Sequence, residues 1–480
     1  MKKYLLVSLL LLISYSNAQS RKLAQQNLAA YPWQFDSPMP HGRYGHDAVF
    51  APNGKIYVMG GLVFKVAKGF KKDNKFNSWL IAKYNNGRYS NLAYDRKIDQ
   101  WEYMTSVPGS FSDYVTFYYP DEDRWSEKQG TVQNLTEEDK IKLCQPIEKG
   151  KKPTKIYETD LERQGNGVAI VLNRAGLIYW TGGKNFIGGV FDVVLPYDPK
   201  SDAWPNVSRK KIIKNGLDYI EGSGSPYSFK TIYETNIPPM QERRRNHRAT
   251  ATSDGKLYVL GGFHDETTIN KEGYVYRTGR DIVSKTMECY DPKTNKWEYR
   301  KQLSRERMDF AAVTGKDDNI YVFGGAVGMS DDPRTQILNT VEIYDPKIDS
   351  WSFKKPMPVR RTGHSAALAA DGRIYIIGGS ELIDQPQSTV YIYDPEIDVW
   401  EKGPDMILPR SALAAAATPD GKIYAIGGTD VDVYNNKAQW QRLANLISAD
   451  ELGNYNGKVQ DTVEVLDIYK WRKSKKMGSF

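Results

Sequence analysis

Asp371-Gly372-Arg373-Ile374-Tyr375-Ile376-Ile377-Gly378-Gly379, followed by Tyr393-Asp394-Pro395 and then by Trp400, is the stretch that decides the fold. Asp-Gly between apolar runs marks a tight hairpin, because glycine takes positive φ without steric cost. The apolar run after it reads as a strand that ends in a glycine pair. The Asp-Pro turn then joins a third strand to a fourth that opens with tryptophan. The unit is four antiparallel strands with Gly-Gly at the end of the second.

The unit recurs. Glycine pairs follow an apolar strand at Gly60-Gly61, Gly182-Gly183, Gly261-Gly262, Gly324-Gly325, Gly378-Gly379 and Gly427-Gly428. Three residues before each pair stands a tyrosine: Tyr57, Tyr179, Tyr258, Tyr321, Tyr375 and Tyr424. Tyr94-Asp95, Tyr197-Asp198-Pro199, Tyr290-Asp291-Pro292, Tyr344-Asp345-Pro346 and Tyr393-Asp394-Pro395 each precede a tryptophan by seven residues: Trp101, Trp204, Trp297, Trp351 and Trp400. One such sheet cannot bury both its faces, so neighbours must supply the core. Radial closure of four-stranded units gives a β-propeller.

In these residues the chain resembles the kelch-repeat family, from about residue 31 to the C-terminus apart from insertions. The resemblance implies an all-β, six-bladed kelch-type propeller of four antiparallel strands per blade, one domain over 31–480. It does not imply one function, since a shared fold hosts unrelated ligands and reactions. Trp297 to Gly324, Trp351 to Gly378, Trp400 to Gly427 and Trp33 to Gly60 all span 27 residues. Trp33 is thus in register as a fourth strand with no first three before it. The N-terminal strand around Trp33 is expected to complete the last blade and close the ring, which hides exposed sheet edges. The alternative puts Trp471 in that strand and Trp33 outside the ring. The basic tail 470–480 is expected to be peripheral.

The 480 residues carry 66 basic and 58 acidic side chains, and a formal net charge of +8. Two cysteines exclude a disulfide scaffold, a cysteine zinc site and an iron–sulfur cluster. Lys2 and Lys3 precede the apolar run Tyr4 to Ile13, and Ser16-Asn17-Ala18 is a small-x-small cleavage site. That layout is a secretory signal peptide over 1–18. No later segment has 18 consecutive apolar residues, so an exported, secreted or periplasmic protein without a transmembrane segment is expected. A monomer is expected too. Cys144 and Cys289 would be able to pair in an oxidising compartment. Cys289, in Met-Glu-Cys-Tyr, also suits a core position. Asn134-Leu135-Thr136 and Asn206-Val207-Ser208 are glycosylation acceptors.

Long insertions fall at 62–93, 106–160 and 208–240. They lengthen second-to-third-strand loops and blade-to-blade connections, which leave a four-stranded meander from the same end. One face of the disc is therefore decorated, and loops carry function more often than strands. Lys65, Lys68, Lys71, Lys72, Lys149 to Lys152, Arg209, Lys210 and Lys211 make it basic, with Tyr84, Tyr89, Tyr114, Tyr118 and Tyr119 interspersed. Such a rim suits an extracellular protein or an acidic glycan. It equally suits plain solubility. Charge alone also suits nucleic acid, and export argues against it.

Seventeen residues before five of the six glycine pairs lies an arginine: Arg43, Arg244, Arg307, Arg361 and Arg410. Gly165 holds that place in the second unit. Three residues on, three units have histidine: His46, His247 and His364. Two readings stand. The guanidinium forks converge on a ligand anion at the channel mouth, or they bond carbonyls of the blades.

No catalytic residue, metal site or cofactor is assigned. Some kelch propellers resemble copper radical oxidases such as galactose oxidase, but neither cysteine suits the cross-linked radical cofactor. An exported binding protein is the favoured function. The alternative is a carbohydrate-active enzyme, a sialate mutarotase-like epimerase at the channel mouth, with His264, Asp265 and Glu266 as acid–base residues.

Overall fold

The structure, a computed structural model, describes residues 32–39, 42–64, 91–96, 100–103, 118–119, 124–125, 167–183, 190–212, 230–269, 275–328, 335–382, 385–429 and 460–477. The leader 1–18, Cys144, the Asn134 acceptor and most of the insertions lie outside them.

Each glycine pair marks one antiparallel sheet, named here by its first glycine. The Gly60 sheet has strands Gly42–Phe50, Lys55–Phe64, Asn91–Asp95 and Gln100–Tyr103, in that order. The Gly261 sheet runs Arg248–Ala251, Leu257–Leu260, Met287–Asp291, Lys296–Arg300. The Gly324 sheet runs Ala311–Thr314, Ile320–Phe323, Val341–Asp345, Ser350–Lys354, and the Gly378 sheet Ser365–Leu368, Ile374–Ile377, Val390–Asp394, Val399–Lys402. In the Gly427 sheet, Ala414–Ala417, Lys422–Ile426 and Val463–Asp467 are followed by Trp33–Asp36 from the other end of the chain.

The Gly182 sheet departs from the expectation. It has three described strands, Ala169–Leu172, Ile178–Thr181 and Val194–Tyr197. Trp204 is buried, but the chain there makes only an isolated bridge between Asp198 and Ala203. The residue after Trp204 is Pro205, which has no N–H for a ladder, and Asn206 takes φ +57°. The expected fourth strand is lost to a turn.

Closure by the N-terminal strand is as expected. Trp33 pairs with Leu466 and Asp36 with Val463. The Trp33 indole donates to Pro404 O at 2.9 Å, as Trp351 donates to Lys301 O at 2.7 Å and Trp400 to Lys355 O at 3.0 Å. The Trp471 alternative is overturned: that residue lies in a helix, Ile468–Met477, and packs against the core. The described part of the tail is thus helical.

The apolar core sits between sheets, because each strand alternates its side chains to both faces. Ile56 and Val58 of the Gly60 sheet pack with Tyr424 and Ile426 of the Gly427 sheet. Ile423 and Leu466 pack with Tyr375 and Ile377. Similar clusters join Gly378 to Gly324, Gly324 to Gly261, Gly261 to Gly182, and Gly182 back to Gly60. The interfaces follow one another around a closed circuit. Cys289 is a buried free thiol in one of them, and burial raises its pKa.

Short hairpins extend the sheets. Phe263–Ile269 pairs with Val275–Val283, and Ala326–Val327 with Gln336–Ile337, both between second and third strands. Ser208–Ile212 pairs with Lys230–Glu234 between the Gly182 and Gly261 sheets. The stretch 430–459, not among the expected insertions, also joins a second strand to a third.

Candidate functional site

The arginines lie where each chain segment enters its first strand, at the end that carries the glycine pairs. All five are fully buried, at 0% exposure. In every case Nη1 donates to the carbonyl of the first glycine in its own sheet: Arg43 to Gly60 at 3.2 Å, Arg244 to Gly261 at 3.1 Å, Arg307 to Gly324 at 3.1 Å, Arg361 to Gly378 at 2.6 Å and Arg410 to Gly427 at 2.8 Å. The arginine's own carbonyl accepts from the second glycine of the preceding sheet. Those bonds are Gly183 to Arg244 at 2.7 Å, Gly262 to Arg307 at 2.9 Å, Gly325 to Arg361 at 2.8 Å, Gly379 to Arg410 at 2.8 Å and Gly428 to Arg43 at 2.8 Å. Each arginine therefore ties two sheets, and the last bond crosses the closing seam.

A buried guanidinium needs a counter-charge. In three sheets a glutamate on the third strand supplies it. Arg244 Nη2 bonds Glu288 at 2.9 Å, Arg410 Nη2 bonds Glu464 at 2.7 Å, and Arg307 pairs with Glu342. The same carboxylates cap the incoming loop, accepting from Gln241 and Glu242 N, from Ser304 N and Oγ, and from Ile407 and Leu408 N. The Gly378 sheet has Tyr391 in place of that glutamate, and three residues before Arg361 it has Pro358, which has no N–H to cap. The Gly60 sheet likewise has Leu92 and Pro40. Arg361 instead lies over the Tyr391 ring at 5.3 Å and 3.5 Å from Glu381. Glu288, Glu342 and Glu464 were missed in the sequence reading. Their signal was an acid repeated inside an otherwise apolar strand (Met-Glu-Cys-Tyr, Val-Glu-Ile-Tyr, Val-Glu-Val-Leu).

The histidines are wedges. A Cβ on Gly61 would lie 2.8 Å from His46 Cβ, and one on Gly427 of the neighbouring sheet 2.8 Å from His46 Cε1. His247 and His364 sit the same way, as do Phe310 and Leu413 where the histidine is absent. His46 Nε2 bonds Ile426 O at 3.0 Å, and His247 Nε2 bonds Thr181 Oγ1 at 2.8 Å, both across an interface. Burial, then the neighbouring arginine, lowers all three pKa values, that of His46 to about 3.

The unfolded chain binds protons at these histidines below the ordinary range near 6.5, and the folded chain does not. Their contribution to stability is therefore full above that range and falls as pH drops. His364→Phe, the residue found at position 310, is expected to leave neutral-pH stability within about 1 kcal/mol. It should also flatten the acid limb by about 1.4 kcal/mol per pH unit below 6. Denaturant titrations at pH 7, 6, 5 and 4 check this; parallel curves for variant and wild type would refute it.

One residue before each histidine-equivalent position the backbone circles the axis. Gly45 N donates to Ala412 O, Ala412 N to Gly363 O, Gly363 N to Asp309 O, Asn246 N to Gly167 O and Gly167 N to Gly45 O, at 2.7 to 3.3 Å. Asn246 Nδ2 bonds Asp309 Oδ1 at 2.7 Å and completes the belt. Burial raises the pKa of Asp309 and of Asp47, while Arg248 opposes the rise at both. His264, Asp265 and Glu266 lie in the strand Phe263–Ile269, whose register shifts between Asp265 and Thr267. Among the described residues no three His, Cys, Asp or Glu side chains group as a metal site, and no helix is long and apolar enough to cross a membrane.

Sheets that share one axis, with first strands innermost and a belt of backbone bonds around the centre, define a β-propeller. The family model described as the KLHDC2/KLHL20/DRC7 Kelch-repeats domain matches residues 273–441. Over those residues the chain carries kelch repeats. It is similar to Kelch-like protein 15 of Danio rerio, 27% identical over 39% of this chain and 33% of that protein. It is 30% identical to Kelch repeat and BTB domain-containing protein 12 of Homo sapiens, over 32% and 24% of the two chains. It is 29% identical to Beta-scruin of Limulus polyphemus, over 45% and 19%. The matched part thus spans a third or less of these relatives.

Proposed function

We propose that this chain is an exported, six-bladed interaction propeller that binds an extracellular protein bearing an acidic patch. The three-stranded Gly182 sheet counts as the sixth blade, since it shares core with both neighbours. The observation that carries the functional reading is a contrast at one end of the disc. The arginine band there is buried and bonded, so it serves as a set of struts. Around it, the hairpins at Phe263–Ile269, Ala326–Val327 and Ser208–Ile212 leave from second-to-third and blade-to-blade connections, which exit at that same end. Recognition then belongs to the insertions, and their lysines set its salt dependence. The fold supports protein binding, and the basic leader followed by an apolar run supports export.

The test is a binding panel of extracellular proteins and glycans at 0.05 and 0.3 M salt, with wild type and a variant carrying Gln at Lys149, Lys151 and Lys152. The reading expects a protein ligand held more weakly at high salt and about tenfold more weakly by the variant. Binding that ignores both changes, or that is confined to neutral sugars, would overturn it.

A further inference from the structure

The helix Ile468–Met477 begins where the third strand of the Gly427 sheet ends. It therefore lies at the opposite end of the disc from the insertions. Ile468 N donates to Gly421 O at 3.0 Å, and Asp467 caps the first turn by accepting from Lys470 N at 2.9 Å. The inner side is fixed. Trp471 packs on the core, Arg472 bonds Asp371 at 3.2 Å, Glu401 at 3.3 Å and the Tyr375 hydroxyl at 3.3 Å, and Lys475 pairs with Glu401 at 2.5 Å.

The outer side has a different composition. Tyr469, Lys470 and Lys473 are exposed, and the helix contains no acidic residue. Among the described residues neither lysine makes an ion pair. Tyr469 is half exposed, yet its ring lies so close over Gly421 that a Cβ there would collide with it. The ring is thus held against Gly421 while about half of the side chain stays open to solvent. Lys470 and Lys473, three apart, stand about 5–6 Å from one another on the same side.

We infer that this outer helix face is a second binding surface, and that it takes an anionic polysaccharide. Charge complementarity selects a polyanion. A protein partner would want an apolar centre, and lysine is depleted from such centres; Tyr469 is the one large apolar side chain this outer helix face exposes among the described residues. An aromatic platform flanked by ammonium groups suits the C–H face of a pyranose with sulfate or carboxylate on either side. The preference for glycan over nucleic acid rests on the export reading above.

The test uses purified full-length protein and immobilised heparin, with single-stranded DNA as the competing polyanion. Wild type should be retained at 0.15 M salt. Lys470→Gln with Lys473→Gln should weaken heparin binding about tenfold and reduce the salt slope by about two contacts. Tyr469→Ala should weaken it several-fold with the slope unchanged. Lys470 and Lys473 face solvent, so the double variant should melt with wild type, while Tyr469→Ala loses its contact with Gly421 and should melt within a few degrees of it. The proposal is overturned if the double variant elutes with wild type, or if single-stranded DNA binds more tightly than heparin at equal salt. Export is read separately, by the appearance of the chain in the medium, and a retained chain would remove that reading whatever the heparin column shows.

Discussion

Deletion of residues 32–39 is expected to abolish the folded monomer. Trp33–Asp36 is the outer strand of the Gly427 sheet and pairs along its whole length with Val463–Asp467. Without it, Val463–Asp467 becomes an edge with a row of open N–H and C=O groups, a template for pairing with another chain. Trp33 is fully buried among Ile377, Ile392, Met406 and Leu466, so the deletion also empties the largest apolar side chain from that interface. The variant should elute as oligomers and lose cooperative melting. A milder probe separates packing from pairing. Trp33→Ala keeps the strand and removes the indole, together with its bond to Pro404 O; the cost should be about 3–5 kcal/mol. A monomeric deletion variant that melts within a few degrees of wild type would show that the ring is closed some other way. The seam has other ties, which is why Trp33→Ala should weaken it without opening it. Arg96, standing where other units have proline, reaches Asp420 at 2.5 Å and the Tyr424 hydroxyl at 2.9 Å across the seam. Gly428 N bonds Arg43 O.

What could be read in the sequence was whatever the repeat repeats. Gly-Gly, Tyr-Asp-Pro and tryptophan at fixed offsets have local causes, so the sheets and the register of Trp33 follow from spacing alone. What resisted reading was set by partners distant in the chain. The glutamates at 288, 342 and 464 are meaningful only beside arginines 35 to 54 residues away. The loss of a fourth strand after Trp204 depends on one proline that the spacing ignores. The terminal helix reads from sequence only as a peripheral basic tail because its anchors, Asp371, Tyr375 and Glu401, belong to another sheet. The arginine band was legible in position and ambiguous in role, since spacing places a guanidinium but does not show what it touches.

That role is decided by Arg361→Ala combined with Arg410→Ala. Each arginine holds its own glycine carbonyl and is packed with no exposure, so the double variant loses two struts. It also leaves Glu464 buried without its cation. Breaking one partner of a buried pair costs about 3–5 kcal/mol, which is a large part of typical domain stability. The expected outcome is a chain that does not fold at 25 °C, read by near-ultraviolet circular dichroism. A variant that folds normally and loses only binding would return the band to the ligand. A second variant keeps the question open to measurement if folding fails for trivial reasons. Glu342→Leu, which copies Leu92 of the Gly60 sheet, strands Arg307 and uncaps Ser304 N. Ser304→Pro, which copies Pro40, removes that N–H. If the glutamate serves both groups at once, the proline substitution should be less harmful in the leucine background than in wild type, by roughly 0.5–3 kcal/mol in a double-mutant cycle. Additive effects would mean that the carboxylate serves the guanidinium alone, and that the coincidence of proline with the missing acid in two sheets has no energetic basis.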